Sequence, residues 1–161
     1  MKNLKMICFD MDGTVADLYG VPDWCKMLRA ENPAPYVQAK PMWDMEFLAD
    51  ILEQFQMIGV EIRIITWLSM DSSEQYKDEV RQAKRDWLDE FNFPYDHFHG
   101  VAYGTTKADC IRKYLADNEQ AILIDDSDKV RKGWHMGETI NPTTENICEV
   151  LMGILAEILT Q

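Results

Sequence analysis

Residues 10–14 read Asp-Met-Asp-Gly-Thr and follow directly on an apolar run containing Leu4, Met6, Ile7, Cys8 and Phe9. Alternate residues of an extended chain point the same way, so Asp10 and Asp12 project together from the mouth of a buried strand. Two carboxylates so placed make a site for a divalent cation and an anionic ligand. One can attack or bind metal while the other donates or accepts a proton. Gly13 permits the turn that follows, which an L-residue resists. Alone, the motif also describes an ordinary Asp-Gly turn, so its weight depends on what else the chain supplies.

A second pair of carboxylates, Asp125 and Asp126, ends another apolar run, Ala121-Ile122-Leu123-Ile124. Charge at the end of a buried strand is costly unless a cation or donors meet it. The plainer role of an Asp there is to cap the helix beginning near Asp128. Thr66 lies in Ile64-Ile65-Thr66-Trp67, and Lys107 follows Gly104-Thr105-Thr106 ahead of a helix. Taken singly, the first is a β-branched strand residue and the second a solvated lysine.

Periodicity predicts the elements that must position these side chains. Residues 4–10 read as a strand. Phe47, Leu48, Ile51, Leu52, Phe55 and Ile58 give helical spacing over 44–58, which Gly59 stops. Residues 60–66 form a second, β-branched strand. Asp71, Ser72 and Ser73 offer caps for a long helix with Tyr76, Val80, Ala83, Trp87, Leu88 and Phe91 on one face. A weaker strand over 97–103, a helix over 107–117, a strand over 121–126 and a short one over 138–140 follow. Thr143 or Thr144 caps a final helix. Strands alternating with helices predict an α/β fold with a doubly wound parallel sheet, whose ligands bind beyond the carboxyl ends of the strands. Asp10, Thr66, Lys107, Asp125 and Asp126 all fall at that edge. Residues 15–43 break the alternation with a short helix over 23–29, then Asn32, Pro33, Pro35 and Pro41. They read as a small cap inserted over the strand ends. The whole chain, 1–161, is one domain by length.

Bulk properties narrow the class. Hydrophobic content of 47% with 27% charged residues is globular. A net charge of −12 with no Lys/Arg-dominated face argues against nucleic acid as a stable partner. Cys8, Cys25, Cys110 and Cys148 have no zinc spacing and read as reduced thiols of a cytoplasmic protein. No stretch has the length of a signal peptide or membrane span, so no membrane partner is expected. A homodimer is compatible with the composition. His97, His99 and His135 show no ligand spacing. Tyr19, Trp24, Tyr36 and Trp43 lie in or beside the insertion. They could stack on a base, although the commoner role is a cap's own core.

The order in which these elements occur is an apolar run ending in DxDGT, an apolar run ending in Thr, then Lys, then an apolar run ending in Asp-Asp. It resembles the haloacid dehalogenase-like (HAD) hydrolase superfamily over nearly the whole chain. The resemblance implies a HAD-type Rossmann-like sheet of strand order 3-2-1-4-5 and a Mg²⁺-dependent phosphomonoesterase of small phosphorylated metabolites. It implies that Asp10 attacks phosphorus to form an aspartyl-phosphate, and that Asp12 protonates the leaving oxygen and then activates water. Thr66 and Lys107 would hold phosphate oxygens beside Gly13 and Thr14. Mg²⁺ would sit on Asp10, the backbone carbonyl of Asp12 and Asp125, with Asp126 supporting the metal shell. The segment between the first two strands resembles that of the 5′(3′)-deoxyribonucleotidases. A (deoxy)nucleoside monophosphate is then the expected substrate, with Trp24, Trp43 and Trp67 beside it. Thr66 is followed by Trp67-Leu68-Ser69 where that family has Thr-Ser-Pro. Two rivals remain. A minimal cap would admit a polynucleotide end, which the acidity opposes. A catalytically idle HAD-like binding module could lose Asp12 freely, yet Asp12 is present.

Overall fold

The computed structural model describes residues 3–161. Its strands are β1 (Leu4–Phe9), β2 (Ala16–Asp17), β3 (Lys40–Pro41), β4 (Glu61–Trp67), β5 (His97–Val101), β6 (Gln120–Ile124) and β7 (Thr139–Ile140). Five of them form a parallel sheet in the order β5-β4-β1-β6-β7, and β2 and β3 pair as a separate antiparallel ribbon. Counted along the chain, the five sheet strands alone run 3-2-1-4-5. The ribbon is an addition to the expected topology, because two-residue strands show no alternation to read.

Strand β1 lies at the centre and is buried on both faces, as a parallel sheet requires. Ile7 and Phe9 point to one side, where α3 (Met45–Met57) and α7 (Ile147–Leu159) contribute Leu48, Leu52, Phe55, Ile147 and Leu151. Met6 and Cys8 point to the other, where α5 (Lys107–Arg112) supplies Ala108 and Ile111, and Trp134 closes the layer. The long helix α4 (Glu74–Glu90) touches the first layer through Trp87 and Leu88. Through Tyr76, Val80 and Ala83 it packs on Leu18 and Tyr36 of the insertion.

Caps set the helix starts. Asp44 accepts from Phe47 N, and Ser73 from Tyr76 N. The last helix departs from expectation. Asn146, not Thr143 or Thr144, caps α7, its Oδ1 accepting from Cys148 N and Glu149 N. The threonines are spent in the preceding turn, where Thr143 N donates to Asn141 Oδ1. Helix α5 ends at Arg112, and the chain goes on in tighter turns, Tyr114 N to Ile111 O and Leu115 N to Arg112 O.

The insertion is ordered by its ends. After β2 come a single 3-10 turn (Leu18–Gly20), α1 (Trp24–Arg29) and α2 (Ala34–Gln38), before β3 returns. Pro35 occupies the first turn of α2, where a missing N–H costs nothing, so a proline-rich stretch starts a helix. Hydrogen bonds pin the segment to α4 and the loop before it. Tyr36 Oη meets Ser69 Oγ at 2.9 Å, Tyr76 Oη donates to Asn32 O at 3.0 Å, Ser73 N to Glu31 Oε1 at 2.7 Å and Trp87 Nε1 to Ala39 O at 2.8 Å. No helix among the described residues is long and apolar enough to cross a membrane. All four cysteines are free thiols.

Candidate active site

Asp10 stands one residue past β1, and its N–H continues the ladder by donating to Ile124 O at 2.9 Å. That bond sets Asp10 beside Asp125, which stands one residue past β6. Lys107 opens α5, and its Nζ lies 2.7 Å from Asp10 Oδ1 and 2.7 Å from Asp125 Oδ2. One carboxylate oxygen from each of Asp10, Asp125 and Asp126 lies within 4.8 Å of the others. Two further bonds fix Asp125. Its Oδ1 accepts from Ser127 N at 2.8 Å, and its carbonyl accepts from Arg131 Nη1 at 2.7 Å. Gly13 is required twice over here. Its φ is +76°, and a Cβ would fall 2.5 Å from Asp126 Oδ2.

Three carboxylates thus face one ammonium, and their electrostatics are strained accordingly. Burial, then Asp10 and Asp125, push the Asp126 carboxyl up to about 7. Burial and Asp10 also raise Asp125 against the pull of Lys107. Burial draws Lys107 down, but Asp10 and Asp125 outweigh it and hold the ammonium charged. The donor set is all hard oxygen and short of positive charge, which fits Mg²⁺.

A pH dependence follows. Asp126 binds a proton more tightly folded than unfolded, so the folded state carries the extra proton between the ordinary carboxylate range and about 7. Stability falls with pH wherever the native state binds more protons. Without metal, the thermal midpoint is therefore expected to drop from about pH 5 to about pH 8. The rise on adding Mg²⁺ should be larger at the upper end, where no proton competes. Calorimetry in chelator and in Mg²⁺ checks both. A metal-free midpoint that climbs across this window would contradict the acidic cluster's strain.

Asp12 belongs to a second arrangement. Its Oδ2 accepts from Lys84 Nζ at 2.6 Å, and the same ammonium donates to Thr66 Oγ1 at 2.6 Å and Trp67 O at 3.1 Å. Lys84 is fully buried. Burial raises the Asp12 carboxyl, Lys84 opposes it, Asp10 adds to it, and the net is upward. Thr66 is itself fully buried, below the cavity rather than on its wall, with its hydroxyl toward Lys84.

Above these groups opens a cavity of about 510 Å³. Asp10, Asp12, Lys107, Asp125 and Asp126 form its polar end. Leu18, Tyr19, Trp24, Leu28 and Tyr36 of the insertion form one wall, and Trp67, Leu68, Met70 and Tyr103 another. Tyr19 packs edge-on to Trp24 at 5.0 Å between ring centroids, and Trp67 tilts over Tyr103 at 4.9 Å. The Trp67 indole is fixed by donating to Thr105 O at 2.9 Å. Tyr19 and Tyr103 are each about half exposed, at 52% and 55%, and mark the mouth.

Trp24, Trp67, Asp10, Asp12, Lys107, Asp125 and Asp126 are thus brought together, and Trp43 is not. Its indole donates to Thr14 O at 2.7 Å, and its ring rests on the main core, so it braces the DxDGT loop from behind. Thr14 is also behind the wall and donates to Asp10 Oδ2 at 3.4 Å. His97 and His99 lie on β5 near Arg63, away from the cavity. Sequence reading missed Lys84, although a signal existed. With Val80, Ala83, Trp87 and Leu88 it shares the one apolar stripe of α4, where a lysine has no place unless a charge awaits it.

No protein-family model matches the chain, and no curated protein matches it. Solved structures do. A chain of the Pnkp1/Rnl/Hen1 RNA repair complex aligns with a TM-score of 0.55 at 15% identity, over 88% of this chain and 43% of that one. This chain therefore spans less than half the length of that neighbour. D,D-heptose 1,7-bisphosphate phosphatase from Burkholderia thailandensis aligns with a TM-score of 0.52 at 8% identity, over 98% of this chain and 99% of that one. At these identities the likeness establishes the fold alone, a parallel α/β sheet shared with both neighbours.

Proposed function

We propose that this chain is a Mg²⁺-dependent phosphomonoesterase that works through a phosphorylated Asp10. The observation that carries the reading is the convergence of Asp10, Asp12, Lys107, Asp125 and Asp126 at the polar end of one aromatic-walled cavity. One Asp10 oxygen bonds phosphorus as the ester P–O bond breaks, and Asp12 gives its proton to the departing oxygen. A water then attacks phosphorus, its proton passes to Asp12, and the Asp10–phosphorus bond breaks to release phosphate. Lys107 stabilises charge on the transferring oxygens. Mg²⁺ held by Asp10, the Asp12 carbonyl, Asp125 and Asp126 would offset the repulsion between carboxylate and phosphate.

The substrate we infer is a small phosphate ester with a flat aromatic portion, such as a (deoxy)nucleoside monophosphate. Five aromatic rings line the space leading away from the carboxylates, and stacking on such rings is sequence-tolerant and favourable by about 1–3 kcal/mol per base. The RNA repair neighbour favours a polynucleotide end as a second reading. The net charge of −12 weighs against it, since a polymer meets repulsion that a small ligand avoids. A panel of phosphate esters assayed with and without Mg²⁺ tests both readings. Nucleoside monophosphates should exceed sugar phosphates in kcat/KM, and Trp24→Ala should erase that preference while sparing turnover of a generic aryl phosphate. Equal rates on nucleotides and sugar phosphates would remove the nucleotide reading. Faster turnover of phosphorylated oligonucleotide ends would install its rival.

A further inference from the structure

We infer that Lys84 is the positioning residue of the acid–base step, one ammonium that orients both the Asp12 carboxylate and the Thr66 hydroxyl. This rests on the phosphomonoesterase reading above. Lys84 is fully buried, and nothing in the packing of α4 calls for a cation there. A buried charge persists only where its partners meet it in good geometry. The ammonium has three protons, and three acceptors take them: Asp12 Oδ2, Thr66 Oγ1 and Trp67 O. The ring of Tyr36 covers it further at 5.0 Å. No proton is left over to bind a phosphate, so the ammonium is a frame and not a ligand for substrate.

The frame has two consequences. Among the described residues, Lys84 is the only hydrogen-bond donor to the Asp12 carboxylate, so it alone selects the rotamer from which the leaving oxygen is met. Thr66 Oγ1 accepts from Lys84, which fixes the rotamer of that buried threonine beneath the cavity. The two buried lysines therefore divide the work. Lys107 neutralises Asp10 and Asp125, where the phosphorus bond forms. Lys84 holds Asp12, where the proton moves.

Leaving-group dependence tests the assignment. Para-nitrophenolate leaves without help from an acid, whereas the alkoxide of phenethyl phosphate needs Asp12 to protonate it. In Mg²⁺, Lys84→Met is expected to lower kcat on phenethyl phosphate by about 10²–10³-fold. It should barely change the first release of para-nitrophenol. Because Asp12 also serves the water step, that first release should appear as a burst of one equivalent followed by slow turnover. In an Asp12→Asn background, Lys84→Met should add no further loss on the alkyl ester, because both changes remove one function. Lys84→Gln, which keeps donors at shorter reach, stands in if circular dichroism shows Lys84→Met unfolded. A folded variant that loses both esters equally, or whose loss multiplies that of Asp12→Asn, would make Lys84 merely structural. A wild-type chain that cleaves neither ester overturns the phosphatase reading and this inference with it. Uniform loss from an active wild type overturns this inference alone.

Discussion

Asp10→Asn should lower phosphomonoester turnover by roughly 10⁴-fold or more while leaving the protein folded. The amide has the carboxylate's shape but no anionic oxygen to attack phosphorus. The fold does not depend on that charge. Lys107 keeps Asp125 as its partner at 2.7 Å, and Asp125 keeps the Ser127 N–H. Removing the charge also relieves Asp126, because Asp10 is the foremost of the charges raising it. The variant's metal-free midpoint should accordingly depend less on pH than the wild type's. Phosphate release and thermal melts on the same preparation measure both effects. A folded Asp10→Asn protein within tenfold of wild-type activity would take the nucleophile's role away from Asp10.

Lys107→Met should cost the metal-free protein about 3–5 kcal/mol at neutral pH, the usual penalty for deleting one partner of a buried charge pair. The cause is specific to this site. Asp10 and Asp125 are buried, and Lys107 is the ammonium bonded to both. The sign with pH is fixed by which charge is left behind. Without the ammonium the Asp125 carboxyl, already raised by burial, is held higher still, so acid relieves the uncompensated charge and the deficit shrinks as pH falls. Mg²⁺ should shrink it too, by supplying charge to the same oxygens. Denaturant unfolding at two pH values, with chelator and with Mg²⁺, resolves these arms. A deficit blind to both pH and Mg²⁺ would mean that Lys107 matters only for its packing. Turnover should fall with the charge in any case, since the transferring phosphate loses a stabilising cation.

These effects trace back to features of unequal visibility in the sequence. Strands β1, β4 and β6 announce themselves because a central parallel strand is buried on both faces and reads as a mostly apolar run, interrupted here by Lys5 in β1 and Arg63 in β4. Their ends are equally plain, since a buried run that stops at a carboxylate must stop at an edge. Parallel order then carries Asp10 and Asp125 to the same edge, which is why periodicity alone groups them. Helices α3 and α4 are legible from apolar spacing over three or more turns. The ribbon β2–β3 and helix α2 are not, because two to five residues carry no period and Pro35 mimics a break.

What the sequence by itself determined is the alternation of strands and helices, the pair of carboxylates two residues apart, and the acidic end of the last long strand. Each is a local pattern that the chain's own geometry makes readable. Tertiary structure alone decided the partners. Trp43 faces the back of the DxDGT loop while Trp24 faces the cavity, although both are indoles in or beside one insertion. Lys84, 72 residues from Asp12 in the chain, ends within 2.6 Å of it. Such pairings are set by how α4 and the insertion pack across the strand ends. Those positions follow from long-range burial, which no short window of sequence contains.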